Sequence, residues 1–284
     1  MRTIGHYNGV TAVSYPVLRM PQDRLHHVLT EKTENLHMTR IADGAIVVTG
    51  ANRGLGRALV TEALHRGAKR VYAGSRQPLD HPDQRVTPLI LDVTNAAQIE
   101  AAVDSVDAAD VLVNNAGIAL LDDLTDRTVI EQHLAVNLFG TWAMTQAFLP
   151  LLTKSQGSVI NVLSDTAFAA FPLVPGYSIS KAAAFALTQS LRALSAPLGV
   201  SVHAVVPGPI DTDMSRALNA PKASPESVAQ AIFDGLDKGE DDIFPDPVSQ
   251  RLAENWRTGP TKALERQYAA LIAQAATPGH EQHP

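Results

Sequence analysis

The chain has 284 residues, 45% of them hydrophobic, and a formal net charge of −6 at pH 7, which suits one large α/β domain or two small ones. The acidic balance argues against a nucleic-acid partner, and the absence of cysteine excludes disulfides, thiolate catalysis and cysteine-based zinc sites. No apolar run approaches the ~18–20 residues of a membrane span, so we expect a cytoplasmic protein without membrane association.

Residues 1–40 differ from the rest of the chain, because histidines, prolines and scattered charges follow no sustained period there. We expect an N-terminal extension that is poorly ordered, or an upstream start of translation before Met38. An arm that packs on a partner subunit is the alternative. The histidines have no tight spacing, so we predict no metal site.

From Ala45 onward, apolar runs alternate with helix-forming stretches. The runs predict strands at 45–49, 70–74, 86–91, 110–114, 157–163, 200–206 and 242–244. Helices are predicted at 54–66, 95–106, 128–152, 175–198, 225–236 and 261–275. The alternation predicts an α/β fold with a three-layer, doubly wound parallel sheet in a single domain. We place this domain at residues 41–250 and a C-terminal helix and tail at 251–284.

A glycine-rich turn, Thr49-Gly-Ala-Asn-Arg-Gly-Leu-Gly56, joins the first strand to the first helix. Glycine allows a tight turn and close approach of the backbone to a pyrophosphate, and the helix N-terminus supplies unpaired N–H groups. The GxxxGxG spacing is neither GxGxxG nor a P-loop, and a purely structural turn is the alternative. We predict a dinucleotide site that includes Gly50, Asn52, Arg53, Gly54, Leu55 and Gly56.

The second strand runs into Ser75-Arg76, where an NAD-binding chain would carry a carboxylate for the ribose 2′-OH. An arginine suits a 2′-phosphate, and Arg53 could supply a second cation. We therefore predict NADP(H) in preference to NAD(H), with plain surface charges as the alternative. The third and fourth strands run into further candidate cofactor-binding residues, which are Asp92, Val93, Asn115, Ala116 and Gly117.

Tyr177 and Lys181 are four residues apart and therefore lie on one face of a predicted helix. A nearby ammonium lowers the pKa of a phenol, which can then exchange a proton with a reacting oxygen. Alone, this spacing is also that of an ordinary amphipathic helix. Ser164, thirteen residues upstream and just after an apolar run, makes the catalytic interpretation stronger.

These motifs together resemble the short-chain dehydrogenase/reductase family in its single-domain, Rossmann-like form, from about residue 41 to 250. The resemblance implies that Tyr177 is the general acid or base and that Lys181 lowers its pKa and binds the nicotinamide ribose. It also implies that Ser164 holds the substrate oxygen and that Asn137 anchors a water in a proton relay. It assigns contacts around the nicotinamide to Pro207, Gly208, Ile210 and Thr212.

The resemblance further implies a carbonyl or alcohol substrate and a homodimer or homotetramer formed through the two long helices. Asp165 departs from the pattern, since many relatives carry a small hydroxyl residue there. The apolar segment 166–174 and the short segment 213–224 favour a small or medium apolar ketone, aldehyde or alcohol. The alternatives are an NAD-linked dehydrogenase, an epimerase or dehydratase with a transient hydride step, and a non-catalytic dinucleotide-binding regulator.

Overall fold

The computed structural model describes residues 41–275, with side chains described as far as residue 270. The predicted N-terminal extension lies outside the described residues. Seven parallel strands form one sheet in the order β3-β2-β1-β4-β5-β6-β7. The strands are β1 Ala45–Thr49, β2 Arg70–Ser75, β3 Val86–Ile90, β4 Val111–Asn114, β5 Ser158–Val162, β6 Ser201–Val205 and β7 Asp242–Ile243.

The main helices are α1 Gly54–His65, α2 Ala96–Asp104, α3 Arg127–Leu134, α4 Thr141–Ser155, α5 Pro175–Ser195, α6 Pro225–Asp237, α7 Pro247–Thr258 and α8 Pro260–Ala275. Several begin at a side chain that accepts a backbone N–H, as Asn95 does for α2. None of the described helices is both long and apolar enough to cross a membrane.

Both faces of the sheet are covered, which explains the continuous apolar runs in the sequence. Successive residues of a strand point to opposite faces. In β1, Val48 belongs to the cluster that contains Leu59 of α1 and Phe233 of α6. Its neighbour Val47 packs in the opposite layer with Phe148 of α4. The predicted doubly wound, three-layer fold is therefore confirmed, with the chain reversing its direction of strand addition between β1 and β4.

The predicted helix at 128–152 is divided into α3 and α4 by a π-helical turn, Ala135–Gly140. Gly140 allows this turn to approach the loop after β3, because a Cβ atom there would lie 2.6 Å from Cγ2 of Val93. The predicted helix at 175–198 ends at Ser195 and continues as a 3₁₀ turn.

Helix α7 was not predicted, and it crosses position 250, at which the sequence analysis ended the α/β domain. Its start carries a signal that the sequence does contain. Asp246 is followed by Pro247 at the first helical position, and Asp246 and Ser249 form a capping box. The first seven positions of α7 contain only three apolar residues, which are too few to show a helical period.

Candidate active site

The glycine-rich turn has the conformation that its sequence predicts. Gly50 and Gly54 have φ angles of +66° and +51°, a region that favours glycine. A Cβ atom at Gly56 would lie 2.1 Å from the carbonyl oxygen of Gly50, so no larger residue fits there. Arg53, at the N-cap of α1, makes no side-chain capping hydrogen bond. The first N–H groups of α1 are therefore open to an anion such as a pyrophosphate.

The ends of β1 and β4 are joined beside this turn. The Thr49 hydroxyl accepts the backbone N–H groups of Asn115 at 3.0 Å and Ala116 at 2.9 Å. Asn115 Nδ2 donates to the carbonyl of Thr49 at 2.9 Å. Leu55 is buried in the core, so it can offer a cofactor only its backbone, whereas the side chain of Asn52 is exposed. Thr49 was not among the predicted site residues, although its position before the first glycine marks it.

Ser75 ends β2 as a buried residue, and Arg76 follows it with an exposed guanidinium. Asp92 accepts hydrogen bonds from the backbone and hydroxyl of Thr94, which hold the pKa of its carboxyl below the usual value, and the charge of Arg76 adds to this effect. Val93 is buried. Arg76 and Asp92 therefore lie near each other at the carboxyl ends of β2 and β3.

Arg53 already has a partner across the cleft, since its guanidinium forms a 2.9 Å ion pair with Asp213. Both side chains are largely exposed, so this pair adds little to stability. Thr212 lies beside it, where a Cβ atom on Gly54 would come within 3.1 Å of Thr212 Cγ2. The segment after β6 is thus in contact with the glycine-rich turn.

Tyr177 and Lys181 occupy the first two turns of α5 and face the same side. Lys181 Nζ lies 5.6 Å from the centre of the Tyr177 ring and donates to the carbonyl of Val162 at 2.8 Å. The Lys181 side chain is almost completely buried, with 5% of its surface exposed. The helix therefore presents a phenol and a buried ammonium at the carboxyl end of β5.

Ser164 follows β5 and lies next to Tyr177. Its hydroxyl donates to Asp165 Oδ1 at 3.0 Å and accepts the backbone N–H of Thr166 at 3.2 Å, so Ser164 also caps a 3₁₀ turn. An interaction between the Ser164 hydroxyl and the phenol of Tyr177 favours the phenolate. Ser164 therefore caps the 3₁₀ turn and also lies close enough to Tyr177 to affect the pKa of the phenol.

Asn137 lies in the π-helical turn and is buried. Its Oδ1 accepts the backbone N–H of Ile118 at 2.9 Å, and its Nδ2 donates to the carbonyl of Ile118 and to Ser180 Oγ. A Cβ atom at Gly117 would lie 3.2 Å from Asn137 Oδ1 and 3.7 Å from Lys181 Nζ. The Asn-Asn-Ala-Gly segment after β4 is thereby packed against both residues.

The segment after β6 is held by a residue that the sequence analysis did not include. Asp246, buried at the N-cap of α7, accepts the backbone N–H of Gly208 at 2.8 Å. Pro207 accepts the N–H of Asp165 at 3.0 Å, which ties this turn to the serine. Ile210 is partly buried against the core and forms an isolated bridge with Ala223.

The pKa of Tyr177 is raised, whereas the sequence predicted that it would be lowered. Burial raises the pKa of Tyr177 to about 12; the interaction with Ser164 opposes the rise and the charge of Asp165 adds to it. Burial lowers the pKa of Lys181 to about 8. Loss of hydration is the largest cause of both shifts, and Lys181 donates its hydrogen bond to the carbonyl of Val162 rather than to the phenol.

His133 and Asp122 were also missed, and both support the start of α5. His133 is fully buried, accepts the N–H of Leu120 at its Nε2, and lies edge-on to Tyr177 with ring centres 6.3 Å apart. Asp122 Oδ2 accepts the N–H of Gly176 at 3.1 Å. Only tertiary packing brings these residues to Tyr177, so no local signal marked them. Among the described residues, no cluster of histidines and acids could hold a metal ion.

The sequence profile of the short chain dehydrogenase family matches residues 44–223. An uncharacterised oxidoreductase of Staphylococcus aureus (strain USA300) is 33% identical over 217 residues, which cover 70% of this chain and 93% of that protein. A short chain dehydrogenase from Burkholderia cenocepacia J2315, solved in complex with NADP, is 37% identical with a TM-score of 0.74, covering 80% of this chain and 98% of that one.

A 3-ketoacyl-(acyl-carrier-protein) reductase from Brucella melitensis, complexed with NADH, has a TM-score of 0.66. It is 20% identical, and the alignment covers 72% of this chain and 98% of that one. At that identity the likeness is one of fold alone.

Proposed function

This chain belongs to the short-chain dehydrogenase family, and on that premise we propose an NADP(H)-dependent oxidoreductase that acts on a carbonyl or secondary alcohol. The observation that carries the proposal is the assembly of Tyr177, Ser164, Lys181 and Asn137 beside the glycine-rich turn. The close approach at Gly56 and the open N–H groups of α1 suit a pyrophosphate.

Tyr177 acts as the general acid in reduction, giving its phenolic proton to the carbonyl oxygen, and as the base in oxidation. Ser164 holds the substrate oxygen and stabilises the charge that develops on it. Lys181 would hold the nicotinamide ribose, and Asn137 would anchor a water of the proton relay. When bound, NADP(H) would supply or accept the hydride, and its positively charged oxidised ring would favour the phenolate.

The preference for NADP(H) is supported by Arg76. Within the described residues its guanidinium forms no salt bridge, and it follows the strand end at which the adenosine ribose would lie. A guanidinium without a salt-bridge partner there can bind a 2′-phosphate through two parallel hydrogen bonds. Arg53 would have to exchange Asp213 for the phosphate to take part.

The substrate class is supported by apolar surface near the site. Leu173, in the segment between Ser164 and Tyr177, and Met214, in the short segment after β6, are large apolar residues with exposed side chains. A small or medium apolar ketone or aldehyde, or the corresponding alcohol, would cover such surface. Efficient turnover of bulky polar substrates with poor activity on apolar carbonyls would contradict this assignment.

The cofactor assignment is tested by titrating the protein with NADPH and with NADH. Wild-type protein should prefer NADPH, and Arg76→Ala should weaken NADPH binding about tenfold to a hundredfold without weakening NADH binding. Arg70→Ala is the matched control, because Arg70 lies at the opposite end of the same strand. Equal binding of both cofactors by the wild type would remove Arg76 from its role and favour an NAD-linked dehydrogenase.

A further inference from the structure

The carboxylate of Asp165 lies in the corner of the site where the substrate oxygen would bind. Oδ1 accepts the hydroxyl of Ser164 at 3.0 Å, and the backbone N–H of Asp165 donates to Pro207 at 3.0 Å. Asp165 therefore links the serine to the turn assigned to the nicotinamide. Its charge also acts on the phenol of Tyr177 and raises the pKa of that group further.

Within residues 41–270 no salt bridge involves Asp165, and its charged neighbour is a second carboxylate, that of Asp246. Burial raises the pKa of Asp165, the hydrogen bond from Ser164 opposes that change, and the charge of Asp246 adds to the rise. Asp246 accepts the N–H groups of Gly208, Val248 and Ser249, so these hydrogen bonds come from backbone donors and not from a cation. This corner of the site therefore carries negative charge without a cation paired to Asp165.

We infer that Asp165 determines substrate specificity: it disfavours carbonyl compounds with a carboxylate beside the reacting carbonyl and favours those with an ammonium group there. The inference rests on the proposed function, because that function brings the substrate oxygen to Ser164 and Tyr177. A charged group carried by the carbon next to the carbonyl would then lie close in space to the carboxylate of Asp165. In such a partly buried place, attraction or repulsion between unit charges changes affinity by about tenfold each.

Asp165→Asn is the informative variant. Asparagine has the same shape and keeps an oxygen that can accept the Ser164 hydroxyl, but it carries no charge. Asp165→Ser provides a second variant, which shortens the side chain and also removes the charge. Asp104→Asn is the matched control, because it removes one negative charge from an exposed position at the end of α2.

The probes are three small methyl ketones: acetoacetate, acetoacetamide and aminoacetone, which are anionic, neutral and largely cationic at pH 7. Their dissociation constants are measured by calorimetry with cofactor-free protein and with protein saturated with NADP⁺. Turnover with NADPH is measured for the same set. Wild-type protein and Asp104→Asn should bind aminoacetone most tightly and acetoacetate least tightly. In both Asp165 variants the ratio of the aminoacetone affinity to the acetoacetate affinity should fall by about tenfold or more. This decrease should be smaller at high salt, which screens the charge of Asp165 in the wild type.

An unchanged affinity ratio in Asp165→Asn and Asp165→Ser would overturn the inference. If wild-type protein nevertheless reduced acetoacetamide, the proposed function would stand without it. Absence of NADPH-dependent turnover for all three ketones and for a panel of apolar ketones would count against the proposed function instead. The binding ratios would still decide whether Asp165 discriminates by charge.

Discussion

Lys181 combines a positive charge with near-complete burial. Its hydrogen bond to the carbonyl of Val162 does not compensate for the loss of hydration, and burial therefore lowers its pKa from 10.5 to about 8. A group that binds its proton more weakly in the folded than in the unfolded chain destabilises the fold below its folded pKa. That penalty is relieved as the pH rises from about 8 towards 10.5.

Cofactor-free wild-type protein should therefore gain stability between pH 8 and pH 10 relative to Lys181→Met, by an amount on the order of 2–3 kcal/mol. Urea unfolding across this range measures the difference. Lys69→Met, at an exposed position, should parallel the wild type. If the free energy of unfolding changed with pH in the same way for wild type and Lys181→Met, the lysine would keep its ordinary pKa in the folded protein.

The sequence could identify the chemistry of these residues but not their electrostatics. Tyr177, Lys181 and Ser164 were recognisable from residue type and spacing. The raised pKa of Tyr177 depends on how much water the folded chain removes from the phenol, and on a carboxylate, Asp165, that the sequence analysis left as a departure from the family pattern. Burial is a property of tertiary packing, so no local motif predicts it.

At the scale of single elements, the π-helical turn between α3 and α4 has a structural cause. Its extra residue brings Asn137 to the backbone of Ile118 and lets Gly140 pack against Val93. Such turns often occur at functional sites. In the sequence, residues 128–152 have the apolar spacing of one continuous helix, because a single inserted residue shifts the helical period only locally.

His133, in the last turn of α3, couples this helix to α5. It accepts the N–H of Leu120 and lies against Tyr177. Replacing it with leucine would remove the hydrogen bond that the partly buried Leu120 N–H makes, at a stability cost of about 1 kcal/mol. The start of α5 would lose an edge contact at the same time.

His133→Leu should therefore lower kcat more than it changes the affinity for NADPH, and His133→Gln, which restores an acceptor, should recover part of the loss. Steady-state kinetics and NADPH titration measure the two effects. His65→Leu, on the exposed end of α1, is the control. Equal losses of kcat and NADPH affinity in His133→Leu would indicate general unfolding rather than misplacement of Tyr177.

At the scale of the whole molecule, apolar side chains are exposed on the two long helical segments. Phe139 and Trp142 are 59% and 44% exposed, and Ile179 on α5 is 43% exposed. Exposed apolar surface of this kind favours association with another protein surface. We propose that these segments form the interface of a homodimer, which could assemble further into a tetramer.

Light scattering should accordingly give at least twice the mass of one chain for the wild type. Trp142→Glu should shift the distribution towards the monomer, because dimerisation would bury an unpaired charge in the interface. Leu121→Glu, at a more exposed position outside both helices, should leave the mass unchanged. A monomeric wild type would remove this interface from the account.

The fold as a whole was accessible from the sequence because its strands are apolar on both faces and alternate with helices. The glycine-rich turn was accessible because its conformation depends on a few consecutive residues. Helix α7 was not, since it is mostly polar and docks through tertiary contacts such as the hydrogen bond from Trp256 Nε1 to Asp242. The order of the strands was not predicted, because apolar runs do not specify which strands pair.

The central claim is that Tyr177 transfers a proton in a reaction of bound cofactor, and Tyr177→Phe tests it most directly. Phenylalanine keeps the ring and removes the hydroxyl, so NADPH binding should be preserved while kcat falls at least about a hundredfold. Tyr268→Phe, at an exposed position on α8, should leave both quantities unchanged. If Tyr177→Phe retains wild-type turnover, Tyr177 is not the general acid; if wild-type protein binds NADPH but reduces no carbonyl, the chain is a dinucleotide-binding regulator instead.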